Sequence, residues 1–270
     1  MFIELCIKTC TVAFIVVCVL HRLNIKPSND IGVKALNVGV GQFICVGVLF
    51  EIFSMAVQIL LEFLAKVLKF EKTDDVSAII CCLTSLIIIF VAIKLFRMFH
   101  EEIMRGTRPF SKVVKSAIYN LGLFLPILLG VHVIWGDLLM FVQSLVVHID
   151  LVPQDVVQMF YNPSTTLATI VRVITAIAIA PILEEIIFRG FIYRVLKGRG
   201  GKFVAASLTS FIFALIHWNL SAFVGLFTLG MCLTRIYEHG ADMREPILVH
   251  ALFNATTIFG ILLDSNVSNV

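Results

Sequence analysis

Charged residues are scarce in this sequence. Only 14% of the 270 residues are Asp, Glu, Lys or Arg, whereas 59% are hydrophobic. A soluble domain usually carries about a quarter charged residues, because its surface must be wetted. This chain has too few charges to cover itself in water, and its net charge of +3 does not indicate a nucleic-acid partner. The composition therefore predicts a membrane protein.

The cysteines lack the pattern of a disulfide framework or a metal site. Seven is an odd number, no C-x-x-C pair occurs, and every cysteine falls in an apolar segment. We interpret them as small core residues. The N-terminal Met-Phe-Ile-Glu also lacks the basic stretch of a signal peptide, so we expect the first apolar run to be a retained membrane helix. The cysteines are Cys6, Cys10, Cys18, Cys45, Cys81, Cys82 and Cys232.

The alternation of apolar and polar residues that marks a membrane β-barrel is also missing. Apolar runs recur instead, several near the roughly 20 residues with which a helix spans a bilayer. We predict an all-α, polytopic membrane helix bundle of about eight transmembrane helices, with residues 1–270 in one domain. Pro126, Gly130 and Gly136 allow the fourth segment to bend or break. The predicted segments are Phe2–Leu20, Val40–Leu64, Ser77–Phe96, Ala117–His148, Thr166–Leu196, Phe203–Trp218, Ala222–Tyr237 and Pro246–Leu263.

Basic residues are unevenly divided between the two sides of this topology. The connections after the first, third, fifth and seventh segments hold thirteen Lys and Arg, against three on the other side. Positively charged loops stay in the cytoplasm. We therefore expect an integral, multi-pass protein of the plasma membrane, in contact with membrane lipid, whose site opens to the cytoplasm.

Two adjacent carboxylates stand in the fifth segment. Glu184 and Glu185 follow Ala180-Pro181-Ile182-Leu183, and adjacent carboxylates in an apolar helix each raise the cost of ionising the other. Glu185 lies four residues before Arg189, which favours an ion pair on one helical face. Adjacent helical positions point about 100° apart, so Glu184 is left for another role. A helix-end charge cluster is the alternative interpretation.

Two further segments carry polar residues, in the sixth and eighth predicted helices. His217 ends the sixth segment, and a turn at Gly200-Gly201 would place it level with Glu184 in an antiparallel hairpin. His250 and Asn254 of the eighth segment lie four apart, on one helical face. Alternatively, His217 could be an ordinary hydrogen-bonded residue at the interface, and His250 and Asn254 could form an interhelical hydrogen-bonding pair. Together the four have acid–base and hydrogen-bonding capacity, but no Ser, Cys or Asp pair accompanies them for covalent or aspartyl chemistry.

Three motifs in this order resemble the CPBP family, also called Abi or CAAX-protease-like, which includes the type II CAAX prenyl endopeptidases. The motifs are Glu184-Glu185-x-x-x-Arg189, Phe213-x-x-x-His217 and His250-x-x-x-Asn254. The resemblance covers Ala180 to Thr257 and places them in a catalytic core of four helices, residues 166–263. It implies an intramembrane endopeptidase that cleaves a peptide or a lipidated protein substrate, such as a prenylated protein. Glu184 would activate a water with His217, His250 and Asn254 would stabilise the oxyanion, and Glu185 and Arg189 would support the site.

The need for a metal stays open at this point. A Glu and two His are a plausible zinc set, here Glu184, His217 and His250, with an open position for water. The common H-E-x-x-H pattern is absent, and Asn254 and the second carboxylate would not be needed as ligands. The sequence therefore permits a metal-free glutamate peptidase, which we favour slightly, or a zinc metalloprotease.

Two non-peptidase functions are compatible with the same residues. A non-catalytic immunity or adaptor protein could bind a peptide in this polar pocket. A proton-coupled transporter could use intramembrane Glu and His as a proton relay, although the polar groups cluster in the C-terminal half and discontinuous helices are not evident. Outside the motifs, we expect Arg172 and Arg235 to form interhelical pairs or to extend to the interface.

Overall fold

The computed structural model describes residues 33–98 except 37, residue 106, and residues 108–145 and 165–267. The first predicted segment, Phe2–Leu20, lies outside this part of the chain. In the described part the regular structure is helical, so the all-α class is confirmed. Its elements are α1 (Val40–Val67), α2 (Asp74–Met98), α3 (Phe110–Leu145), α4 (Thr166–Ile174), π1 (Thr175–Ile179), α5 (Ala180–Glu185), π2 (Ile186–Tyr193), α6 (Arg194–Ile216), α7 (Leu220–Gly240) and α8 (Arg244–Val267).

Five stretches of the described chain are long and apolar enough to cross a membrane, which supports the multi-pass prediction. They are Cys45–Val67, Asp74–Phe96, Phe110–Leu145, Thr166–Ile216 and Leu220–Gly240. The break allowed in the fourth predicted segment does not occur, because α3 runs through Pro126 as one helix. A proline removes a single backbone hydrogen bond from a helix, and the turns on both sides keep theirs.

The stretch Thr166–Ile216 contains the fifth and sixth predicted segments and the break between them. Gly201 has φ 75° and ψ 177° inside α6, a conformation that glycine adopts without steric cost. The predicted turn at Gly200-Gly201 is therefore confirmed. On its N-terminal side the α-helical pattern is interrupted by π1 and π2, which flank the six residues of α5. Single π-helical turns inside α-helices occur frequently at functional sites.

The basic connections gather at one end of the bundle, as the alternating topology predicts. Lys197 donates to the carbonyl of Val33 at 2.7 Å and to Glu238 at 2.5 Å, joining the segment before α1 to the start of α6 and the end of α7. At the same end, Arg108 before α3 pairs with Glu245 of α8. Helix α7 packs against α6 and α3, and α8 also packs on α3. The helix α3 therefore forms part of the wall around the four C-terminal helical segments.

Candidate active site

An aromatic contact sets the register of the hairpin that carries the first two motifs. The rings of Phe188 in π2 and Phe213 in α6 meet edge to face, with centroids 5.1 Å apart. Phe188 precedes Gly201 by nearly the same number of residues as Phe213 follows it. Glu184 and His217 are each four residues further from the turn. They therefore lie at a similar level in the bundle, as the hairpin argument predicts.

The second carboxylate is buried with its predicted partner. Arg189 Nη1 lies 2.6 Å from Glu185 Oε1, and both side chains are 0% exposed. Arg189 also donates through Nη2 to the carbonyl of Gly230 at 3.1 Å, and its Nε lies 3.5 Å from Thr234 Oγ1. Burying a charged pair is tolerated only when its remaining donors find partners, and α7 supplies them here. No motif in the sequence marks Gly230 and Thr234 as these partners.

His250 stands between the two carboxylates. Its Nδ1 lies 2.9 Å from Glu185 Oε1, and its Nε2 lies 3.7 Å from Glu184 Oε2. An ionised carboxylate can only accept a hydrogen bond, so the contact with Glu185 assigns the proton to Nδ1. Carboxylates fix the orientation and tautomer of a histidine in this way. The arrangement leaves Nε2 facing Glu184, which is 26% exposed while His250 is 4% exposed.

His217 lies near this cluster, but it forms no ion pair with Glu184 in this structure. Its Nδ1 lies 2.7 Å from the carbonyl of Phe213, which assigns the proton to Nδ1 and leaves Nε2 as an acceptor. The Phe213 ring is 4.9 Å from the His217 ring, 5.9 Å from the His250 ring and 5.0 Å from the Arg189 guanidinium. Phe213 thus joins all three motifs, although the sequence marked it only as a motif position.

Asn254 satisfies a carbonyl group that a proline leaves without a backbone donor. In π1 the N–H of Ala180 donates to Thr175, five residues back. The next donor in this pattern would be residue 181, aimed at Ala176, but Pro181 has no N–H. Asn254 Nδ2 donates to the Ala176 carbonyl at 2.8 Å instead. This bond ties α8 to π1 and leaves Asn254 one further N–H.

A polar cluster at the start of α8 fixes the helix that carries His250. Glu245 is 3% exposed and accepts hydrogen bonds from Arg108, Ser116 and Asn120, all before or within α3. Asp242, in the turn before α8, is 1% exposed and pairs with Arg244 at 2.8 Å. Burial acts to raise the pKa of Asp242, but the hydrogen bonds from Arg244 outweigh it, so the pKa lies below its ordinary value.

A zinc ion would need at least three of the site's donor side chains to converge on one point. Structural and catalytic zinc sites use three or four protein ligands at about 2.0–2.3 Å. Within the described residues, no three His, Cys, Asp or Glu side chains form a group able to hold a metal. Glu184 and His250 approach each other, but His217 does not complete a set with them. As arranged in this structure, Glu184, His217 and His250 do not form the ligand set of a zinc ion.

Known proteins resemble part of this chain. A family model described as type II CAAX prenyl endopeptidase Rce1-like matches residues 166–256. A curated protein of Bacillus subtilis (strain 168), named "Putative membrane peptidase YdiL", is 29% identical over 86 residues, which cover 32% of this chain and 35% of that protein. The chain thus matches about a third of the length of this relative. None of the solved structures matches this chain. The match to residues 166–256, which contain the three motifs, agrees with the resemblance drawn from those motifs.

Proposed function

We propose that this protein is an intramembrane endopeptidase in which Glu184 activates a water molecule. The observation that carries the proposal is the division between the two carboxylates. Glu185 is 0% exposed and bound directly to Arg189 and His250, whereas Glu184 is 26% exposed and its nearest contact with either is 3.7 Å, to His250 Nε2. A general base must be accessible to water and within hydrogen-bond reach of it. Glu184 meets this requirement, and Glu185 serves to orient His250 and to neutralise Arg189.

The separation between Glu184 and His250 is suited to holding a water molecule. At 3.7 Å the two atoms are too far apart for a direct hydrogen bond, yet a water beside them can contact both. In the proposed reaction, Glu184 takes a proton from this water and the hydroxide attacks the carbonyl carbon of the peptide bond. The tetrahedral oxyanion collapses, the C–N bond breaks, and the leaving amine takes the proton held by Glu184.

A donor for the oxyanion would come from the third motif. Asn254 has one amide hydrogen left after its bond to Ala176, and the amide of a correctly placed Asn can contribute about 3 kcal/mol to such a transition state. His217 presents Nε2 without its proton, so in this tautomer it accepts rather than donates, and protonated His217 would donate. We therefore propose that His217 Nε2 accepts a hydrogen bond from the water and that His250 holds the water beside Glu184.

We further propose that the site opens to the cytoplasm of the plasma membrane. The support is the collection of basic segments at the end of the bundle where Gly201 turns, combined with the preference of Lys and Arg for the cytoplasmic side. Lys112 is exposed at this end. A membrane-impermeant maleimide should label the variant Lys112→Cys, made without the native cysteines, only after the membrane is opened. Labelling in intact cells would reverse the orientation.

A panel of membrane peptides, each with and without a prenyl group, tests the activity and the substrate class together. Purified protein should release fragments from at least one peptide, with the cleaved bond identified by mass spectrometry. Parallel reactions with a zinc chelator decide the metal question: unchanged rates support the metal-free reaction, and lost activity restored by zinc would replace it. Peptide binding without any fragments would favour the adaptor function instead. Proton uptake into vesicles driven by a solute would favour a transporter.

A further inference from the structure

A groove separate from the candidate active site lies between α6 and α7, beside the Gly201 turn. It has a volume of about 690 Å³, within the roughly 300–1,000 Å³ of small-molecule sites. Apolar atoms line most of it, with Phe203 and Ala206 on one side and Met231 and Cys232 on the other. None of the motif residues Glu184, Glu185, His217, His250 or Asn254 lines it. Both helices belong to candidate membrane spans, so this groove is a place that bilayer lipid can reach.

The charges of the groove favour an anion. The carboxylate of the groove, Glu238, already accepts hydrogen bonds from Lys197 Nζ at 2.5 Å and from the Tyr193 hydroxyl at 2.8 Å. Arg235 lines the groove and is exposed, and its side chain has no ion pair or hydrogen bond with any residue that the structure describes. The expected interhelical pair is thus found for Arg172, which binds Asp74, but not for Arg235. A cation on an apolar helix near the end of a span needs an anion or the aqueous interface.

We propose that this groove binds one anionic glycerophospholipid, with its phosphate on Arg235 and an acyl chain along Phe203 and Met231. Lys202, on the rim, is 41% exposed and adds a second positive charge 3.9 Å from Glu238. Basic pockets between membrane helices bind acidic headgroups, and the apolar lining suits a chain rather than a free phosphate ion. Thr234 lines the groove and also contacts Arg189. A bound lipid therefore packs against the helix face that holds the buried pair, and we expect it to stabilise the fold.

The test uses the purified full chain in detergent, with added phosphatidylglycerol or phosphatidylcholine of identical acyl chains. Native mass spectrometry counts the bound lipid, and the melting temperature reports its effect on stability. We expect phosphatidylglycerol to bind in preference and to raise the melting temperature. Arg235→Gln should lower its affinity by about fivefold, as expected for loss of one cation–headgroup attraction. Lys115→Gln, which removes an exposed lysine of α3, is the matched control and should leave the affinity unchanged.

Two further arms separate the lipid from simpler ligands. Inorganic phosphate should not displace the bound phosphatidylglycerol, and Ala206→Phe, which fills the apolar part of the groove without changing its charge, should weaken binding. Ala206→Phe also replaces Arg235→Gln if that variant does not fold. The proposal is overturned if the two lipids bind equally, if Arg235→Gln binds phosphatidylglycerol as the unmodified protein does, or if phosphate competes fully. These measurements require no peptide cleavage, so their outcome is independent of the proposed peptidase activity.

Discussion

We expect Glu185→Gln to destabilise the protein strongly, because it leaves the buried Arg189 without its countercharge. Glu185 Oε1 receives both Arg189 Nη1 at 2.6 Å and His250 Nδ1 at 2.9 Å. Glutamine has nearly the same size and its carbonyl oxygen can accept the same two bonds. The substitution therefore removes one charge and changes the shape of the site very little.

The expected magnitude follows from the burial of both partners. An uncompensated charge left by a broken buried pair costs about 3–5 kcal/mol, out of a total stability of about 5–15 kcal/mol. For a chain of this size, roughly 2–4 °C of melting temperature is lost per kcal/mol, which gives a decrease of about 6–20 °C. Glu184→Gln is the matched control. Glu184 is 26% exposed, and we expect its substitution to cost less than about 1 kcal/mol.

Thermal unfolding in detergent, followed by tryptophan fluorescence, measures both variants beside the unmodified protein. The double variant Glu185→Gln/Arg189→Met removes the buried positive charge as well, and it should regain part of the lost stability. Equal melting temperatures for Glu185→Gln and Glu184→Gln would refute the division of roles between the two carboxylates. A double variant less stable than Glu185→Gln alone would show that the loss is not electrostatic.

Two other predictions concern helix packing and acid stability. A Cβ at Gly230 would lie 2.8 Å from Ser210 Cβ. Gly230→Ala should therefore lower the stability by about 1–3 kcal/mol, because it forces α6 and α7 apart. The control Gly225→Ala, at a position with open space around it, should not lower the melting temperature. Because the Asp242 pKa is lowered chiefly by Arg244, its stabilisation is complete above the ordinary value of about 3.9 and is lost as the pH falls below it. Asp242→Asn should lack this acid-dependent component in melting scans between about pH 6 and pH 3.

Local features of the sequence were sufficient to predict the helices and the hairpin. Apolar runs of membrane-spanning length locate α1, α2 and α7 to within three residues at each end, since each run is long enough to specify one helix. Helix α3 begins at Phe110, before its predicted start at Ala117. The glycine pair predicts the turn, because only glycine adopts the φ of Gly201 readily. The four-residue spacing predicts the ion pair of Glu185 with Arg189, which both lie within one helical turn.

Contacts between helices could not be predicted in the same way. The π-helical turns around α5 depend on how Pro181 and its missing N–H are accommodated, and the compensating donor, Asn254, lies on a distant helix. Spacing along the hairpin predicts only that Glu184 and His217 lie at one level. The rotation of α8, which brings His250 to both carboxylates, has no signature in the sequence. The roles of the individual motif residues in cleavage therefore remain predictions.

Cleavage and binding of one peptide by Glu184→Gln test the central proposal most directly. The substrate is any peptide that the unmodified protein cleaves, and the two readouts are the rate of fragment release and the dissociation constant. Loss of a general base alone lowers the rate by about 10²–10⁴-fold. We predict a decrease of at least this size, with the dissociation constant and melting temperature nearly unchanged. Cleavage by Glu184→Gln at the rate of the unmodified protein would contradict the assignment of Glu184 as the base.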